Sequence, residues 1–190
     1  MGNPHISYYE NGQKAEEITY KDGEQDGLCI RWYENGTKKK EFIFKDLKQD
    51  GLTTQWYENG QKEFEGNLDK DGKFQNGKWT RWYENGYKSS KGTMKDGLKD
   101  GLCSTWYENG QKSGKNHFKD GKMHGLQKWW FKNGQKRRQG HYKDGIEDGL
   151  QTEYHENGRK LGEANFDGGE MILSRTWNED GSIDQDWFDI

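Results

Sequence analysis

The chain is poor in the materials of a compact domain. Only 28% of its 190 residues are hydrophobic and its mean hydropathy is −1.43, too little aliphatic side chain for a thick two-layer core. No apolar run is long enough for a membrane span or a signal peptide. There is one proline, Pro4, in the first seven residues, and there are two cysteines, Cys29 and Cys103. These cysteines occupy the same place in repeats three units apart; at two strands per unit and roughly 4.8 Å per strand they stand about 29 Å from each other. A disulfide needs Cα atoms within about 7 Å, so an intrachain bond is excluded and a reducing compartment is expected.

What the chain does have is aromatic and regularly placed: 9 Trp, 10 Tyr and 8 Phe, with 27 Gly. Disordered chains of this polarity are depleted in aromatics. The run Trp32-Tyr33-Glu34-Asn35-Gly36 returns at Trp56, Trp82 and Trp106, and in weaker form from Tyr8, Trp130, Tyr154 and Trp177. Its glycines fall at 12, 36, 60, 86, 110, 134, 158 and 181, a spacing of 24 broken once by 26 and once by 23. A fixed period of that size indicates a repeat architecture and weighs against an enzyme.

Within a unit, Leu28, Ile30 and Trp32 alternate as in a strand, and Asn-Gly marks a hairpin turn. An apolar residue follows eight positions after each repeat glycine (Phe44, Leu68, Met94 and Phe118 among them). A three-residue loop over Glu34-Asn35-Gly36, with Gly36 as a left-handed bulge, would gather these residues and the tryptophans on one face. Gly66, Gly92, Gly140 and Ala164 would then leave room for a neighbouring Trp ring. A second turn, Lys21 to Gly27 and its equivalents, links the hairpins, and in the third unit it is two residues longer (69–77).

The expected fold is all-β: an elongated single antiparallel sheet of about eight hairpin repeats, with a lead over 1–7, repeats over 8–166, and a degenerate final repeat and acidic cap over 167–190. The chain's net charge is −3, but residues 161–190 carry eight acids against Arg175 alone, a balance of −7.

The run Trp-Tyr-Glu-Asn-Gly-Gln-Lys followed by Tyr-Lys-Asp-Gly-x-x-Asp-Gly-Leu resembles the bacterial variant of the MORN repeat, in particular the YwqK-type antitoxin family, over roughly residues 8–181. The resemblance implies a binding role, that of an antitoxin or immunity protein for a cognate toxin, and it brings no catalytic residues. The alternatives are a scaffold or envelope-associated interaction protein and a choline- or glycan-binding repeat protein.

Candidate partner-binding residues are the aromatic ladder Tyr33, Tyr57, Tyr83, Tyr107 and Phe131, the equivalent pair His117 and His141, and the tail residues Asp184, Asp186 and Trp187. Trp32, Trp56, Trp82, Trp106, Trp130 and Trp177, with Gly36, Gly60, Gly86, Gly110 and Gly134, are read as structural. The ladder also admits a purely packing role. Lys14, Lys38, Lys62 and their equivalents lie two residues after each repeat glycine, positioned to cover the tryptophans. Because the chain as a whole is acidic, nucleic acid and membrane are set aside as partners, and a free monomer in the cytoplasm is expected, or in the periplasm or at the surface if a leader was removed. No cofactor is expected. His117 and His141 are too far apart, at about 10 Å, to share a metal. The Asp-Gly loops lack the nine-residue period of calcium-binding repeats.

Overall fold

The computed structural model describes residues 4–45 and 48–188, the side chains of 48, 50 and 186–188 excepted. All regular structure among the described residues is β. The chain forms two compact units, Met1–Leu98 and Lys99–Ile190. The first contains β1 (His5–Tyr8), β2 (Lys14–Lys21), β3 (Glu24–Trp32), β4 (Lys38–Lys45), β5 (Lys48–Trp56), β6 (Lys62–Asn67), β7 (Gly77–Trp82) and β8 (Lys88–Lys95). After the short β9 (Leu98–Lys99) at the boundary, the second contains β10 (Gly101–Trp106), β11 (Lys112–Lys119), β12 (Lys122–Met123), β13 (Gly125–Trp130), β14 (Lys136–Lys143), β15 (Ile146–Tyr154), β16 (Lys160–Asp167), β17 (Glu170–Trp177) and β18 (Ile183–Phe188). In each unit successive strands pair antiparallel, as hairpin repeats require; β11 pairs with both β12 and β13. His5–Ser7, read as part of a lead, already pair with β2.

The repeat turn is the expected three-residue loop. The Tyr33 N–H donates to the Thr37 carbonyl at 2.8 Å, the Gly36 N–H to the Tyr33 carbonyl at 2.9 Å, and Gly36 has φ +84°. Only glycine holds that conformation without strain. Asn35 Oδ1 accepts the Thr37 N–H at 2.9 Å and so fixes the turn from the side.

The expected grouping of faces is wrong, and the reason is a bulge. Trp32 pairs with Lys38, but Arg31 pairs with Lys40, so Lys39 is an extra residue on β4. One extra residue moves everything beyond it to the other face. Phe42 therefore pairs with Cys29, and Phe44 shares a face with Cys29 and Arg31 rather than with Trp32. The same shift recurs in the following hairpins. The antiparallel sheet thus has, in each unit, a core face, which carries the residue three before the repeat Trp, and a tryptophan face.

The second turn is tighter than a seven-residue link. Lys21 pairs with Glu24 around Asp22-Gly23, both with positive φ (53° and 85°), a two-residue turn of the primed kind. Asp120-Gly121 and Asp144-Gly145 repeat it. The two inserted residues of the third unit build another three-residue loop, closed by Asp69 N–H to Lys73 O (2.9 Å) and Gly72 N–H to Asp69 O (3.0 Å).

In the first unit the core face is mainly apolar: Ile18, Cys29 and Phe42 cluster beneath Tyr20 and Phe44, and Phe64, Leu68, Trp79 and Met94 are buried, with buried Gln49 donating to Thr53 Oγ1 at 2.6 Å and to the Leu68 carbonyl at 3.1 Å among them. Gly66 does make room for a tryptophan, but it is Trp79 and not the repeat Trp82; a Cβ there would lie 2.8 Å from that of Trp79. The final segment continues its sheet instead of folding over the edge: β17 is an inner strand, and Met171, Ile172 and Leu173 are exposed.

Candidate functional site

Most of the expected binding ladder is occupied in holding the repeats together. The Tyr9 hydroxyl donates to the Trp32 carbonyl (2.7 Å), Tyr33 to Trp56 (2.9 Å), Tyr57 to Trp82 (2.8 Å) and Tyr107 to Trp130 (2.8 Å). Each bond reaches one repeat ahead. Burial pushes the Tyr33 and Tyr57 phenols above their ordinary value, with nearby Glu63 adding to the effect. The loop asparagines do the same work, Asn35 Nδ2 donating to Glu58 O (3.1 Å) and Asn133 Nδ2 to Glu156 O (3.0 Å). The lysines cover the tryptophan of the following repeat: Lys14 lies 5.5 Å from Trp32, Lys38 5.7 Å from Trp56 and Lys160 5.4 Å from Trp177.

Phe131 interrupts this ladder, because it has no hydroxyl to give to the next repeat. It lines a depression of about 470 Å³ on the core face of the second unit, together with Trp129, Arg137, Arg138, Glu153 and Tyr154. The place just before the repeat Trp holds Arg31, Gln55, Arg81 and Thr105 in earlier repeats; here it holds Trp129. The Arg138 guanidinium lies 5.8 Å from the Trp129 ring, forms an ion pair with Glu147, and has Nε 3.5 Å from Glu153 Oε1. Tyr142 packs edge-on to Trp129 (6.2 Å between centroids) and donates its hydroxyl to Glu147 Oε1 at 2.9 Å. Burial and that bond push the Tyr142 phenol up to about 12. Arg137 is exposed at the rim. A rigid aromatic floor with a fixed guanidinium and a free one beside it can anchor an apolar or aromatic side chain of a partner and orient its polar neighbours.

The floor is positioned by polar packing. Gln127, fully buried, accepts the His117 N–H at Oε1 (3.0 Å) and donates from Nε2 to the carbonyls of His117, His124 and Gly125. Gly140 pairs with Gln127 on one side and Gln151 on the other, and a Cβ there would fall 1.5 Å from Gln151 Oε1. His117 and His141 are exposed on the opposite, tryptophan face, so they do not join the depression. Asp184 is exposed, with Oδ2 accepting from Thr176 Oγ1 at 3.3 Å, and the side chains of Asp186 and Trp187 lie outside the described residues. No group of three His, Cys, Asp or Glu able to hold a metal occurs among the described residues. Trp129 had a signal in the sequence, since a second Trp beside the repeat Trp breaks the repeat.

A family model described as the MORN repeat variant matches residues 3–22, 25–46, 49–70, 75–96, 99–120, 123–144 and 147–167, most of the chain. The chain belongs to the MORN repeat variant family. Five of the MORN matches (3–22, 75–96, 99–120, 123–144 and 147–167) end at a two-residue turn, the match 49–70 ends in the extra three-residue loop, and each match spans one repeat loop, so the sequence unit and the hairpin coincide. The hairpin of β17 and β18 lies beyond the seventh MORN match. Comparison with curated proteins gave no match.

Proposed function

We propose that this MORN-repeat chain is a non-enzymatic protein-binding scaffold whose Trp129 depression anchors a protein partner, and that the partner is a toxin which it neutralises in the cytoplasm as a monomer. The observation that carries the reading is the concentration of departures from the repeat in one place: Trp129, Phe131 and Arg137 replace residues that the other repeats use for structure or leave variable. Trp and Arg are the residues that dominate binding energy at protein interfaces. The antitoxin role rests in addition on the likeness to YwqK-type proteins. The −7 terminal segment offers a second contact to a basic toxin surface.

Capture from a native cell extract in high salt, with wild type and with Trp129→Ala/Arg137→Ala as bait, tests this. One stoichiometric partner, toxic alone and harmless on co-expression with wild type but not with the variant, is expected. A scatter of substoichiometric envelope proteins would replace the antitoxin reading with the scaffold one.

A further inference from the structure

The tryptophan face of the second unit carries a charge pattern that the repeat does not need. Where the repeat lysine is ion-paired, its partner is a glutamate three residues on: Lys14–Glu17 (2.9 Å), Lys38–Glu41 (2.6 Å), Lys62–Glu65 (2.5 Å) and Lys160–Glu163 (3.1 Å); Lys136 instead donates to neutral Gln139 at 3.3 Å. In the fourth repeat that place is Lys91 and in the fifth it is Lys115, so Lys88 and Lys112 are each followed by a like charge. Lys115 is also directly opposite Lys128 on the neighbouring strand, an arrangement that destabilises a sheet. No strand from β7 to β14 contains Asp or Glu, whereas each strand from β2 to β6 does. Residues 112–143 hold ten Lys or Arg against Asp120 alone, a balance of +9 inside a chain of net charge −3; of the ten, Arg137 and Arg138 belong to the depression on the core face and the other eight are lysines. Beside the lysines on this face, exposed His117 and His141 alternate with Leu102, Leu126 and Leu150.

We infer that the tryptophan face of β10–β14 binds single-stranded nucleic acid. Screening cuts interactions off within about 10 Å at 0.1 M salt, so a polyanion responds to this field and not to the net charge of the whole chain; the acidic total is no bar. Protein interfaces are depleted in lysine and built on mixed charges, which this face lacks. A lysine field with rings and apolar side chains between the charges is what tracks a sugar-phosphate backbone and receives unstacked bases. The imidazoles of His117 and His141 supply flat stacking surfaces, and Lys112, Lys115 and Lys128 the phosphate contacts. The site lies on the opposite face from the Trp129 depression, so both can be occupied by different partners.

Anisotropy of fluorescein-labelled oligo-dT and oligo-rU with the full chain tests the inference. Binding that falls on the order of 50-fold between about 50 and 200 mM salt, as neutralising about four phosphates requires, is expected. Lys115→Glu/Lys128→Glu loses at least tenfold in affinity, while Lys21→Glu/Lys45→Glu on the acid-bearing strands β2 and β4, with the same charge change, stays within twofold. Lys115→Glu alone restores the lysine–glutamate pair, so its melting temperature holds or rises while binding falls, which separates lost contact from lost fold. No binding at the lower salt, or equal loss in both double variants, overturns the inference. Lysine-dependent binding to phosphatidylserine vesicles with none to the oligonucleotides would assign the face to membranes instead.

Discussion

The two units fill the same row of the core face by different means. In the first, Cys29, Phe42, Thr53, Gly66 and Trp79 follow one another across the strands, with Phe64 packed beside them at 1% exposure. In the second, Cys103, Asn116, Gln127, Gly140 and Gln151 take those places. A single-layer sheet needs something against its backbone. In the first unit aromatic rings achieve most of this by excluding water, with Gln49 alone of its glutamines buried and bonding the Leu68 carbonyl, whereas in the second Gln127 and Gln151 do it by bonding the neighbouring carbonyls and leave a shallow floor over which Trp129 and Arg138 lie. On the function proposed above, the first unit thus serves stability and the second contact.

That contrast can be broken at its strongest point. Phe64→Ala empties the first unit's core and should cost about 3–5 kcal/mol in denaturant unfolding; a cost below about 1 kcal/mol would deny that the rings carry this unit. Gln127→Ala, which strands the His117 N–H and three carbonyls, should cost about 1–3 kcal/mol, and the leucine variant should not rescue it, since the loss is of bonds and not of volume. Alkaline titration sharpens the difference further. Burial pushes the Cys29 thiol up from 9.0 to about 11 and the Tyr142 phenol up from 10.0 to about 12. In both the neutral form is favoured by folding, so the stabilisation is complete below the unfolded pKa and is lost as pH rises to the folded one. Melting temperatures should therefore begin to fall near pH 9; Cys29→Ala should flatten the slope between pH 9 and 11, and Tyr142→Phe between pH 10 and 12. The smallest effect is a gain. Phe131→Tyr restores the missing hydroxyl and should add about 0.5–1.5 kcal/mol by bonding the next repeat, while narrowing the depression; no gain would mean that the tyrosine bonds contribute nothing to the stacking.

Much of this was legible in the chain. The glycine period gave the hairpins, and the requirement that Asn35-Gly36 bring the strands back in phase gave the three-residue loop. The faces were not legible, because the bulge at Lys39 has no glycine or proline to mark it, and a single uncounted residue exchanges Phe44 and Trp32. The reach of Tyr33 to the next repeat's carbonyl, and of Lys14 to the next repeat's indole, depends on strand stagger, which spacing within one repeat does not contain. Gln127 and Gln151 read as surface residues, since hydrophobic patterning has no sign for an amide that is buried on its own backbone. The net charge concealed the lysine field, as acids gathered at one end cancel bases elsewhere on paper but not across the width of a sheet.

The central claim is that one unit supports and the other binds, and a matched pair of truncations tests it most directly. Trp79→Ala and Trp129→Ala remove the same side chain from the core face of each unit, and both variants are melted and used as bait for the captured partner. Trp79→Ala should lower the melting temperature sharply and retain the partner below its transition, and Trp129→Ala should melt close to wild type and lose it. Equal melting losses, or a partner retained by Trp129→Ala, would contradict the account.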